Sequence, residues 1–245
     1  MGGFSNEVKK VFVDWKQEKL WSELDEAIVE LGNRRVDYIE YGDPTKLTPK
    51  KRAALNAELL RQALLHRAEC LLQATGTMLQ AKNLYGLALV VRGHVEATAV
   101  LGYFCKRIES LSKGNIDFDK FEMDIANGVL GAKDDLFSAA AAPVNILTCI
   151  EQGDKYLNAE LFGGEKKSML QEVYGWLSEF AHPNFCSNKS AFSLDKEAGR
   201  IVFRHDADLQ ESDFQLVGYL SVSAMFFPLL YDRFADACKA VLVEK

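Results

Sequence analysis

Proline is scarce in this chain, with five residues in 245, and that scarcity favours long helices over turn-rich sheets because few positions lack the amide that a helix needs. Cysteine is equally sparse. Cys70, Cys105, Cys149, Cys186 and Cys238 show no CxxC and no histidine at ligand spacing, which argues against a structural zinc site, and they read as reduced, mostly buried thiols. Positive charge is in deficit: a formal net charge of -6 and a pI near 5.4 leave no broad surface for nucleic acid, so any such contact must be local. The N-terminus has no basic stretch followed by an apolar run, which reads as a cytoplasmic address. The longest uncharged apolar run, Leu216 to Leu230, lies between Asp213 and Asp232. It is shorter than the roughly 20 residues that span a bilayer, so a buried core helix, not a membrane segment, is expected.

Cofactor signatures are missing too. Gly163-Gly164 is followed by Glu165-Lys166-Lys167-Ser168, which lacks the spacing of a phosphate-binding loop and presents acid where such a loop presents backbone amides. His94 has Glu96 two residues on, too close for zinc-ligand geometry on a helix. Glu179 and His182 make one Glu-x-x-His spacing without the second copy that a di-metal bundle needs. No metal and no cofactor is expected.

What the chain does have is helical periodicity, with 48% hydrophobic and 26% charged residues. From Asn6 to Leu31 the apolar positions recur at three to four, with a gap at Lys16 to Lys19, and predict a first helix ending at Gly32-Asn33. Its exposed face, with Trp15 and Trp21, is the candidate contact for a homodimer. Gly42-Asp43-Pro44 marks a turn, and Thr48-Pro49 reads as an N-cap with proline at the first helical position. Asn83 to Leu111 is apolar around most of its circumference and organises the rest. Shorter helices are expected over Ile116 to Leu130, Val144 to Leu157 and Glu165 to Ala181, with Pro143 and Pro183 as stops. Residues 191–205 alternate around Asp195 to Gly199 and predict one β-hairpin, which must lie against helices because a lone hairpin is marginal. A final helix from about Glu211 is expected to kink or break at Pro228. Its Phe214, Tyr219, Phe226, Phe227, Tyr231 and Phe234 read as core or dimer contact. The expectation is an all-α, multi-helix bundle with one small hairpin, in a single domain. Its parts are an N-terminal helix and turn region (1–48), a helical core (49–185), a hairpin insertion (186–210) and a C-terminal helix (211–245).

Two stretches break the apolar pattern with polar groups. Arg92 and Glu96 share a face of the organising helix, and Tyr174, Ser178 and His182 form one line on a later helix. Charges in apolar company need partners or a polar cavity, so these five residues are the candidate site. His182 would act as acid or base, Arg92 would stabilise an anion, and Glu96 would orient either. A satisfied internal hydrogen-bond network uses the same residues and needs no chemistry. Ser178 lacks the glycine pattern of a nucleophile elbow.

The Arg-x-x-x-Glu helix followed by Tyr-x-x-x-Ser-x-x-x-His-Pro-Asn, here Arg92, Glu96, Tyr174, Ser178, His182, Pro183 and Asn184, resembles a group of bacterial and phage proteins similar to the HEPN superfamily, over residues 50 to 185. The resemblance implies a helical, dimeric, metal-independent endoribonuclease with an Arg-x(4 to 6)-His motif. Tyr174 to Asn184 contains no arginine. That motif occurs instead at Arg61/His66, on a helix, and at Arg200/His205, in the hairpin. Three functions follow: a structural or interaction protein of a defence-like system with a protein partner, a ribonuclease acting on RNA, and a binder of a small anionic ligand held by Arg92.

Overall fold

Lys16 adopts φ 56°, and this left-handed residue divides what the spacing reads as one first helix into α1 (Asn6–Asp14) and α2 (Glu18–Gly32). The sequence supplies no apolar anchor between Trp15 and Leu20, so no packing holds the helix through the bend. The fold is that of a computed structural model, which describes residues 3–134, 136, 141–163, 168–182, 185–188, 191–203 and 209–243, with residues 44, 185 and 186 described by backbone alone.

The next four helices each start on a side-chain cap that the local sequence provides. Thr48 Oγ1 accepts from the Lys51 amide at 3.3 Å and opens α3 (Pro49–Gln80). Lys82, at φ 51°, stops that helix, and Asn83 Oδ1 takes the Gly86 amide at 2.8 Å to begin α4 (Leu84–Ser112). Gly114 ends α4 with φ 70°, a conformation that glycine adopts without steric cost. Asp117 caps α5 (Phe118–Leu130) and Asn145 caps α6 (Ile146–Leu161). The start of α7 (Met169–Ala181) is capped from another helix. Asp154 of α6, itself buried, accepts from the amides of Met169, Leu170 and Gln171 at 3.1, 3.0 and 3.2 Å. A short α8 (Phe185–Asn188) precedes the hairpin.

The hairpin pairs β1 (Phe192–Asp195) antiparallel with β2 (Arg200–Phe203), Phe192 opposite Phe203 and Asp195 opposite Arg200. Gly199, at φ 64°, makes the turn. The expected cover of helices does not extend to β2, which is exposed along its length. The last helix, α9 (Phe214–Leu242), runs through Pro228 without the expected break. Proline removes one rung of the ladder, and buried residues on both sides, Ala224, Phe227, Leu230 and Tyr231, hold the helix together across it.

The chain gathers into two compact units. The first holds Met1–Gly32, Ala68–Val95 and Glu172–Met225. Its core centres on Phe12, stacked on Phe4 and edge-on to Phe214, with Leu24, Leu72 and Val91 buried. Trp15 leans on Phe214 at 5.3 Å, so part of the face expected to be open for dimerisation is already packed. The second unit holds Asn33–Arg67, Glu96–Gln171 and Phe226–Lys245. Phe104 and Phe234, 6.0 Å apart, lie in its core with Phe121 and Ile125. There α4 and α6 meet backbone to backbone at Gly102 and Gly153.

Leu84–Ser112 and Glu211–Leu242 are long and apolar enough to cross a membrane, yet 56% and 67% of their most apolar windows are buried inside the protein, as in core helices. Among the described cysteines Cys105, Cys149 and Cys238 are buried and Cys70 is exposed; the Cys186 side chain lies outside the described residues.

Candidate functional site

The structure brings together three of the five residues singled out in the sequence. In the first unit the Arg92 guanidinium lies over the Tyr174 ring, 4.8 Å from its centroid, and Nη2 donates to Tyr174 Oη at 2.8 Å. Tyr174 is buried and Arg92 half-buried. Ser178 Oγ donates to the carbonyl of Tyr174 at 2.8 Å, one turn back on its own helix, a local bond that serine makes readily. Its proton is therefore directed into α7 and not toward His182.

His182 stands exposed at the end of α7. Its carbonyl accepts from Ser187 Oγ at 2.8 Å, and the Ser187 carbonyl accepts from Tyr85 Oη at 2.5 Å. Glu96 belongs to the second unit, where it pairs with Arg67 at 3.8 Å. That pair is lapped by solvent, the Arg67 side chain being 54% exposed, and such pairs contribute about 1 kcal/mol at most. Pro183 and Asn184 lie outside the described residues, as do Ala139, Ala140, Gly164 to Lys167 and His205 to Asp208.

The arginines of the two Arg-x(4 to 6)-His pairs are each engaged by neighbours. Arg61 is the largely buried member of its pair: it stacks on Tyr231 at 4.2 Å and bridges Glu58 at 2.9 Å, while His66 is exposed. Tyr231 and Glu58 hold the Arg61 guanidinium in place, while its Nε is buried without an acceptor. Arg200 bridges Asp195 across the hairpin at 3.1 Å.

A second polar site, absent from the sequence reading, lies in the second unit. A cleft of about 350 Å³ opens between α4 and α6, lined by Tyr103, Lys106, Arg107 and Ser110 from α4 and by Thr148 and Gln152 from α6. The spacing is helical: 103, 106/107 and 110 lie along one face of α4, and 148 and 152 are one turn apart on α6. Lys106 Nζ donates to Gln152 Oε1 at 2.7 Å. Arg107 bridges the buried Asp124, which Lys120 also contacts at 3.0 Å, and its Nε is buried without an acceptor.

The cleft offers an anion two cationic groups and a helix end, with the carboxylates of Asp124, Glu109 and Glu151 beside them. Two cations stand on consecutive residues, and Thr148 sits in the first turn of α6, a turn without any acidic residue to offset the positive helix end. Burial, helped by Lys155, lowers the Lys106 pKa, so an incoming negative charge relieves a real cost. Burial and the charge of Asp124 push Tyr103 up to about 12, which keeps its hydroxyl neutral. The available signal was the Lys106-Arg107 dipeptide directly after the apolar run Ala97 to Cys105 of α4.

One further buried polar pair escaped the sequence reading. His94 Nδ1 lies 2.8 Å from Ser223 Oγ in the first unit, both residues buried. His94 falls in the stripe Leu87, Val91, His94, Thr98, all of it buried, and that periodicity was legible. Among the described residues no three or more His, Cys, Asp or Glu side chains stand close enough to hold a metal ion. No protein-family model, no curated protein and no solved structure matches this chain.

Proposed function

We propose that this helical protein binds a small anion in the cleft between α4 and α6 and holds it without turnover. The observation that carries the reading is the pair Lys106 and Arg107, side by side in a cleft that also borders the N-terminal turn of α6. The lining has no histidine, cysteine or carboxylate, so it offers no general base near neutral pH. Arg92, the cation that the sequence first suggests for this task, is already joined to Tyr174 and serves packing within its unit.

Calorimetric titration with inorganic phosphate at low ionic strength tests this. The expected result is saturable binding, weakened by roughly tenfold or more in Lys106→Met, which keeps the apolar stem and removes the charge. Equal affinity in that variant would overturn the reading. A second reading, metal-independent RNA cleavage of the HEPN type, draws support from the exposure of His182 at the end of α7. It requires that His182→Ala abolish cleavage at unchanged thermal stability.

A further inference from the structure

We infer that the anion taken by the α4–α6 cleft is a phosphate monoester of a small hydroxylated body, as in a sugar phosphate. The inference rests on the cleft being an anion site and adds the chemistry of what surrounds the charge. All six lining residues carry a polar head, and none is aliphatic.

The cleft divides its work by residue type. Lys106 supplies an ammonium, and Arg107, whose Nη2 bridges Asp124, keeps a buried Nε–H without an acceptor, so the two offer several donors to the oxygens of a phosphate. Ser110 and Thr148 supply hydroxyls that both donate and accept, and Gln152 an amide that does the same. A hydroxylated ligand satisfies such groups in both directions, whereas an apolar body would leave them desolvated and unpaired. The one aromatic in the lining, Tyr103, is only 7% exposed, with its ring edge-on to Phe104 at 4.9 Å. It therefore has little free face on which a nucleobase could stack. A volume of about 350 Å³ is at the small end of ligand sites, roughly 300 to 1,000 Å³, which suits a single sugar ring and its phosphate.

The test titrates the full chain with inorganic phosphate, glucose 6-phosphate, glucose and AMP. Glucose 6-phosphate should bind roughly tenfold tighter than inorganic phosphate, the worth of one or two neutral hydrogen bonds, and tighter than AMP. Glucose alone should give no saturable signal. The double variant Ser110→Ala/Thr148→Val should lose more affinity for glucose 6-phosphate than for inorganic phosphate, so that the preference between the two narrows. Phosphate binding as tight as that of glucose 6-phosphate, tighter binding of AMP, or an undiminished preference in the double variant overturns the inference while the anion site stands. Failure of both phosphate ligands to bind removes the anion site itself.

Discussion

A Cβ built on Gly102 would stand 2.9 Å from the Cα of Gly153, and one built on Gly153 would stand 2.8 Å from the carbonyl oxygen of Ala99. These two glycines let α4 and α6 touch through their backbones, and the residues that line the cleft flank the crossing: Gln152 adjoins Gly153, and Tyr103 adjoins Gly102.

Gly153→Ala is expected to destabilise the protein by about 1 to 3 kcal/mol, because the obstacle is backbone and cannot rotate aside. It should also weaken phosphate binding by moving Gln152 away from Lys106. Gly175→Ala is the internal control. A Cβ there meets nothing within 4 Å inside α7, so removing the conformational freedom of glycine should stabilise by about 0.5 to 1 kcal/mol. Urea unfolding of the two variants reads both signs; a neutral Gly153→Ala would contradict the close crossing.

Tyr174→Phe removes the acceptor at 2.8 Å from Arg92 and keeps the ring beneath the guanidinium. The expected loss is about 1 to 3 kcal/mol, the range for a hydrogen bond to a charged group with partial burial. Phosphate affinity should stay unchanged, since Tyr174 and Arg92 line no part of the α4–α6 cleft. A loss of phosphate binding in Tyr174→Phe would return the anion to Arg92.

Much of the helical frame was written in local chemistry. Thr48-Pro49 and the alternation around Gly199 each announced a boundary that the structure keeps, because capping and turn preferences act over three or four residues, whereas the spacing leaves a break before Asn83 open. The gap at Lys16 to Lys19 was visible, but that it divides the helix does not follow from the spacing. The passage of α9 through Pro228 was not legible, because it depends on packing beyond the local sequence. The candidate site follows the same rule. The Arg92–Tyr174 contact joins residues 82 apart, and the fourfold spacing on each helix was enough to suggest it. Glu96 also has Arg67, on α3, beside its carboxylate, a neighbour that spacing along one helix does not show. The α4–α6 cleft was missed because Lys106 and Arg107 resemble an ordinary solvated edge until α6 is placed beside them.

His94 gives the protein a pH dependence that is open to measurement. Complete burial lowers its pKa from 6.5 to about 3, so the native state keeps it neutral while the unfolded chain protonates near 6.5. A group depressed in the folded state contributes stability that is full above its unfolded pKa and erodes as pH falls from there toward about 3. Between pH 7.5 and 5 the expected loss from this residue is roughly 2 kcal/mol. The replacement His94→Gln can still hydrogen-bond Ser223 but binds no proton in this range. It should therefore begin less stable at pH 7.5, through imperfect packing, and then fall less steeply as the solution is acidified. Unfolding free energies at pH 7.5, 6.5, 5.8 and 5 for both proteins give the difference in slope. Parallel curves would mean that His94 takes up its proton in the native state, and that the first unit opens its core to water around Ser223.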